Sequence, residues 1–131
     1  MPYNATAVIT LLALAVYVWM GIRVAQTREK VGIAAPAMTG NPQLERTIRA
    51  HLNTLEWLPV FLPSLWLFAI YCRDWAAAIV GSVWIVGRIV YFLGYVSEAR
   101  KRELGFFIQA IAAGILVFGA LGRAVYLLAT S

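Results

Sequence analysis

Four apolar stretches, residues 5–24, 55–71, 75–96 and 104–129, constrain this chain more than any other feature. An α-helix rises about 1.5 Å per residue, so roughly 20 apolar residues cross the hydrocarbon core of a bilayer. Three of the stretches meet that length directly. The second, counted by its apolar part alone, is short. It reaches spanning length only if the polar residues before it, from about 41 to 43, are already helical. The expected elements are therefore helices at about 5–27, 42–71, 75–100 and 104–129 in one domain covering 1–131. The fold class is all-α: a polytopic membrane protein built as a bundle of four transmembrane helices.

Composition supports this class. Hydrophobic residues make up 62% of the chain and charged residues 13%, with a mean hydropathy of +0.76. Soluble domains carry about 25% charged residues, enough to cover a surface against water. The first apolar stretch lacks a basic segment before it and meets Arg23 rather than a small-residue cleavage site, so it reads as a retained span and not as a leader. The net charge of +5 does not indicate nucleic acid, because the basic residues are scattered between apolar blocks without a stripe or finger spacing. The single cysteine, Cys72, excludes an intrachain disulfide and a thiolate zinc site, and one histidine leaves little else for a metal.

The connections fix an expected orientation. Residues 31–42 hold Gly, Pro and an Asn-Pro pair and read as an irregular link with a helix start near Pro42. Residues 71–75 form a tight hairpin, and 97–103 a short charged turn. Eight of the eleven Lys/Arg (Arg23, Arg28, Lys30, Arg46, Arg49, Arg100, Lys101 and Arg102) fall on the side of the first and third connections. Arg73 on the other side is balanced by Asp74. The positive-inside rule then places the basic side in the cytoplasm and both termini outside.

Within this frame some polar residues need a reason to be there. Arg49, Asn53 and Glu56 are spaced by four and three and share one helical face, extended by Arg46. Arg88, Tyr91 and Tyr95 repeat that spacing on the third span, and Arg102 falls on the same stripe if the helix projects beyond the membrane. Helix ends at a membrane surface normally collect Arg, Lys, Trp and Tyr, which accounts for Arg46, Arg100, Lys101, Trp57 and Trp75 without any ligand. Asn53 and Glu56 cannot reach the surface so easily, and Arg88 lies inside apolar sequence. Intramembrane charge pairs or lines a cavity. One arrangement is a structural Arg88–Glu56 pair, and the other is a shared polar cavity toward the cytoplasmic end. Pro59 and Pro63 are expected to bend the second helix. Gly81, Gly87, Ala110, Gly114, Gly119 and Gly122 mark close helix approach.

The segments ERTIRAHLNTLEWLP (45–59) and RIVYFLGYVSEARKR (88–102), with the YFxGY pattern and the four-span layout, resemble the membrane-associated proteins in eicosanoid and glutathione metabolism, the MAPEG family. The resemblance implies a homotrimer with glutathione as co-substrate between neighbouring subunits. By motif it places glutathione on Arg49, Asn53 and Glu56 of helix two and on Tyr91 and Tyr95 of helix three. It matches Arg28 and His51 to further glutathione contacts, and Arg102 to the arginine that stabilises the thiolate. Arg46 and Arg88 remain structural or cavity-lining. The chain departs at Trp57, where the family's leukotriene synthase has tyrosine. What the resemblance implies is a glutathione transferase acting on hydrophobic electrophiles, with peroxidase activity toward lipid hydroperoxides as a variant of the same chemistry. The alternative is a non-catalytic accessory protein that binds lipid or eicosanoid. Expected partners are membrane lipid, the hydrophobic co-substrate and two further copies of the chain; no metal and no nucleic acid are expected.

Overall fold

The computed structural model describes residues 2–131. Four helices follow in order: α1 (Asn4–Val31), α2 (Pro42–Tyr71), α3 (Asp74–Ser97) and α4 (Glu103–Thr130), with a 3₁₀ turn (Ala99–Arg102) before the last. All four are long and apolar enough to cross a membrane. Among the described residues there is no strand.

Local chemistry sets the helix ends. The Asn41 side chain accepts the Leu44 N–H at 3.0 Å, and Pro42 occupies the first turn, where its missing N–H costs nothing. Thus α2 begins inside the polar segment, and Arg46 through Glu56 are helical. Gly32 ends α1 in the left-handed region at φ 74, its N–H returning to the Arg28 carbonyl. The start of α1 is held from outside. Asp74, in the hairpin between α2 and α3, accepts the backbone N–H groups of Ala5 (3.1 Å) and Thr6 (2.8 Å) and the Thr6 hydroxyl (2.6 Å). A carboxylate there satisfies orphan donors and complements the helix dipole. It also places the start of α1 at the same end of the bundle as the α2–α3 hairpin.

Helix α3 stops three residues short of the expected boundary near 100. The Ser97 hydroxyl donates to the Gly94 carbonyl at 2.9 Å, Glu98 is extended at φ −162, and the chain folds back through the 3₁₀ turn. Helix α2 stays continuous through Pro59 and Pro63, with the Ser64 hydroxyl donating to the carbonyl of Val60 at 2.7 Å. In the core, Phe61 of α2 stacks on Trp84 of α3 with ring centroids 3.8 Å apart. Ala13, Leu65, Ala77 and Leu116 pack around them with almost no exposed surface.

Small residues seat the helices against one another, but only some of those expected to. A Cβ on Gly81 would meet Ile9 at 2.7 Å, one on Gly87 the backbone of Gln109 at 2.7 Å, and one on Gly119 the Phe68 ring at 2.6 Å. Gly114 and Gly122 have nothing within 4 Å, so their place in the small-residue stripe does not reflect contact inside the protomer. The closest approach involves Gly105, whose added Cβ would run into the backbone of Tyr91. Outward faces carry exposed Leu11, Ile79, Phe107, Phe118 and Leu128, as a lipid-facing surface requires.

Candidate functional site

The two polar stripes meet between α2 and α3. Arg88 has no exposed surface, and its partners do not include the Glu56 carboxylate, one of the two arrangements left open by the sequence. Its Nη2 donates to Asn53 Oδ1 at 3.0 Å and to Thr54 Oγ1 at 2.7 Å, and the guanidinium lies 4.2 Å over the Tyr91 ring. Glu56 pairs instead with Arg49 at 3.0 Å along α2. The rotation of α2 against α3 explains the difference. Thr54 is buried toward α3, whereas Glu56 and Arg49 stay about half exposed on the outer face, at 55% and 50% of their side chains. An exposed carboxylate seven residues from an arginine on its own helix reaches it more easily than one across the interface.

Tyr91 is buried and Tyr95 half-buried, their rings edge to face at 5.6 Å. Arg102 does not extend their stripe along a continuous helix. The 3₁₀ turn brings it back, so that its guanidinium lies 5.0 Å over the Tyr95 ring while Nη1 donates to the Ala99 carbonyl at 3.0 Å. Arg46 donates to the Val96 carbonyl at 3.3 Å and so closes the C-terminal end of α3. A cavity of about 490 Å³ is lined by Pro42, Glu45, Arg46, Arg49, Tyr95 and Ala99, so that Arg49 and Tyr95 border it while Asn53, Glu56, Tyr91 and Arg102 are not among its lining residues.

Two candidates are not brought into this cluster. His51 stacks on Tyr17 of α1 at 4.5 Å, and Arg28 donates to the Ala37 carbonyl at 2.6 Å, tethering the link after α1. His51 thus faces α1, and Arg28 belongs to α1 itself with its guanidinium turned to the link. Other residues join the site without having been singled out. Thr54 supplies the buried acceptor for Arg88. Phe106 of α4 contacts both Tyr91 (6.2 Å) and Trp57 (5.8 Å), joining the polar cluster to an apolar groove. Thr54 had a legible signal: Thr47, Ala50 and Thr54 form a small-residue stripe at helical spacing, turned toward a neighbour. Phe106 had none, being one aromatic among many on a lipid-bound helix.

The arrangement can hold a zwitterion with two acidic ends. Guanidinium groups offer fork-shaped donors to carboxylates, Glu56 accepts from an ammonium, and the Asn53 amide can serve either kind of group. The groove beyond Trp57 is apolar, about 260 Å³, and lined by Val60, Ala110, Ala113, Gly114, Val117 and Phe118.

Comparison with known proteins agrees in both extent and kind. The MAPEG family model matches residues 6–122. An uncharacterised protein of Synechocystis is 50% identical over 115 residues, covering 88% of this chain and 84% of its own. Human microsomal glutathione S-transferase 2 is 36% identical over 119 residues, covering 90% and 81%. Bovine leukotriene C4 synthase is 35% identical over 117 residues, covering 88% and 78%. With its four spanning helices and a family match running nearly from end to end, the chain is an integral multi-pass membrane protein that belongs to the MAPEG family.

Proposed function

We propose that this protein is a membrane glutathione transferase that binds the tripeptide at the α2–α3 cluster, ionises its thiol and adds the sulfur to a hydrophobic electrophile. The observation that carries this reading is that Phe106 meets both Tyr91 of the polar cluster and Trp57 of the apolar groove, so that two unlike surfaces lie close together. A cavity bordered by Arg49 and Tyr95 lies on one side, and the apolar groove beginning at Trp57 on the other. Glutathione has two carboxylates and an ammonium, complementary to Arg49, Asn53 and Glu56. The names of the human and bovine relatives point to the same chemistry.

The chemistry follows from thiol ionisation. A free thiol near pKa 8.5 is mostly protonated at neutral pH, and each tenfold gain in its acidity corresponds to about 1.4 kcal/mol of preferential thiolate stabilisation. Arg102, poised over Tyr95 at the rim, is the group assigned to this task. The thiolate attacks the electrophilic carbon, a carbon–sulfur bond forms, and the leaving group departs with its electron pair or an opened ring oxygen takes a proton. Attack on the terminal oxygen of a lipid hydroperoxide is the peroxidase variant: the O–O bond breaks, the alkoxide leaves and takes a proton, and a second glutathione condenses with the sulfenic acid to give the disulfide and water. No protein nucleophile is needed, since the chain positions and ionises the thiol.

The active form is a homotrimer, with glutathione sites toward the cytoplasm and both termini outside. Arg28 and His51 support the trimer because, within one protomer, their contacts are to the link and to α1 rather than to Arg49 and Glu56. A site shared by adjoining copies uses one set from each.

Purification in detergent, glutathione binding by calorimetry and conjugation to a generic aryl halide test the reading. Glu56→Ala and Arg49→Ala are expected to weaken glutathione by up to about 2 kcal/mol each with the oligomer intact. Normal binding by both variants sinks it. Binding without conjugation of any electrophile would favour the accessory role.

A further inference from the structure

The end of the bundle opposite the glutathione cluster carries a second basic cavity. It measures about 430 Å³ and is lined by Tyr71, Cys72, Arg73, Trp75, Ala76 and Arg123, where the α2–α3 hairpin faces α4. The sequence offers Asp74 as the neutralising partner of Arg73, but the structure uses that carboxylate elsewhere. Both Asp74 oxygens point to the first turn of α1, onto Ala5 and Thr6. Among the described residues neither Arg73 nor Arg123 forms an ion pair. Each guanidinium instead lies 5.6 Å over an aromatic ring, Trp75 for Arg73 and Tyr126 for Arg123. Two cations thus border one cavity at a membrane surface without an acid to offset them.

Tyr71 also lines a second space, an apolar groove of about 340 Å³ that descends between α2 and α4 past Leu67, Pro63 and Val60. Val60, Leu67, Tyr71 and Leu121 on its walls are exposed at the surface of the bundle. Tyr71 and Val60 lie 11 residues apart on α2, or about 16 Å of helix. A single leaflet of hydrocarbon is about 15 Å deep. A cationic cavity at the interface, continuous with an apolar groove one leaflet deep, has the dimensions and polarity of one lipid molecule.

We infer that this is a binding site for an anionic phospholipid of the non-cytoplasmic leaflet, its phosphate between Arg73 and Arg123 and one acyl chain in the α2–α4 groove. Charge complementarity selects the headgroup. A phosphodiester without its own ammonium leaves both guanidinium forks engaged, whereas a choline headgroup brings a cation against them. The headgroup end is separate from the glutathione cluster, while the acyl groove shares Val60 and Val117 with the apolar groove beyond Trp57, and lipid occupancy is measurable without any assay of conjugation.

The test is native mass spectrometry of the full chain in mild detergent, titrated with phosphatidylglycerol, phosphatidylcholine or soluble glycerol 3-phosphate. One phosphatidylglycerol per chain is expected, with phosphatidylcholine about tenfold weaker and no competition by glycerol 3-phosphate at equal concentration. R73Q/R123Q is expected to weaken phosphatidylglycerol at least about tenfold, while K30Q, at the other end of the bundle, leaves it unchanged. R73K/R123K keeps both charges and retains most of the binding, which separates lost charge from lost folding. Ala124→Trp fills the groove and expels the lipid with both arginines present. Equal retention by R73Q/R123Q overturns the inference. So does full competition by glycerol 3-phosphate, which would mark a site for free anions. If Ala124→Trp dissociates the oligomer and leaves lipid retention unchanged, the groove holds a second copy and the inference fails.

Discussion

At the scale of single residues, Arg88 is the most demanding group in the bundle. It is buried, its hydrogen bonds run to the neutral oxygens of Asn53 and Thr54, and its Nε and Nη1 have no partner. A buried charge so incompletely satisfied contributes little net stability, and an apolar side chain of similar length often replaces one at small cost. Arg88→Met is therefore expected to change Tm by only a few degrees. It leaves the Asn53 amide without its anchor, so glutathione affinity should fall several-fold. Unchanged affinity by calorimetry would mean that α2 alone positions Asn53. Arg102 poses the complementary question, since a basic turn at 100–102 is expected from topology alone. Arg102→Ala should leave glutathione affinity within a few fold and raise the apparent pKa of the bound thiol. Conjugation at pH 7 should then slow in proportion to the lost thiolate, about tenfold if that pKa rises by one. A raised thiol pKa means the loss is greatest at low pH and recovers as pH rises. Lys101→Ala should show none of this, and identical thiolate absorbance titrations in the two variants would remove the role from Arg102. The sequence made Arg49, Asn53 and Glu56 legible as one face, because helical spacing is arithmetic. It could not tell which acceptor Arg88 takes. Asn53, Thr54 and Glu56 lie within one turn, and the choice depends on how α2 is rotated against α3, which long-range contacts such as the Phe61–Trp84 stack decide.

At the scale of elements, the junction between α3 and α4 positions the chemistry. Gly105 lies against the backbone of Tyr91, and a Cβ there would also sit 2.7 Å from the Gly87 carbonyl oxygen. Backbone cannot rotate away as a side chain can, so Gly105→Ala must push the helices apart and carry Tyr91 with them. A loss of about 1–3 kcal/mol is expected from such overpacking, together with weaker glutathione binding. Gly114→Ala, which meets nothing within 4 Å, is the control and should stay within about 1 kcal/mol of the parent. Thermal unfolding in detergent compares the two, and equal Tm values would show that the α3–α4 contact is softer than its geometry. Small residues in a membrane helix are readable as candidates for close approach, but spacing alone does not say which of them face a neighbour. Gly114 and Gly122 do not, whereas Gly105, beside the charged turn, does. Helix α2 was more legible. Spanning length demanded an early start, and Asn41 with Pro42 supplied the local chemistry for it. The end of α3 was not, because Ser97 bonding back to Gly94 and the reversal through 99–102 have no hydropathy signal.

At the scale of the whole molecule, one protomer leaves its polar face uncovered. Helix α2 has 30 residues and so runs about 45 Å, longer than the ~30 Å hydrocarbon core. Counted from Tyr71 at the C-terminal end of α2, Glu56 lies 15 residues, or about 22 Å, into the span. Its pair with Arg49 is half exposed at that depth, where lipid would desolvate both charges without replacing the lost water contacts. In the proposed trimer a neighbouring copy would cover the pair and admit glutathione, with Arg28 and His51 as the residues it would bring. If each site draws Arg49 from one chain and Arg28 from the next, two defective chains can complement each other. Arg28→Ala and Arg49→Ala homotrimers should each bind glutathione poorly. In a mixed ring of three, one boundary joins an intact Arg49 to an intact Arg28. Coexpressed chains carrying different affinity tags, purified through both, should therefore recover about one good site per trimer, a third of the wild-type stoichiometry. Calorimetry reads that number directly. If each site lies within one protomer, the mixed trimer has no intact site and binds no better than its parents. A monodisperse monomer that retains full affinity would remove the shared site and the trimer together.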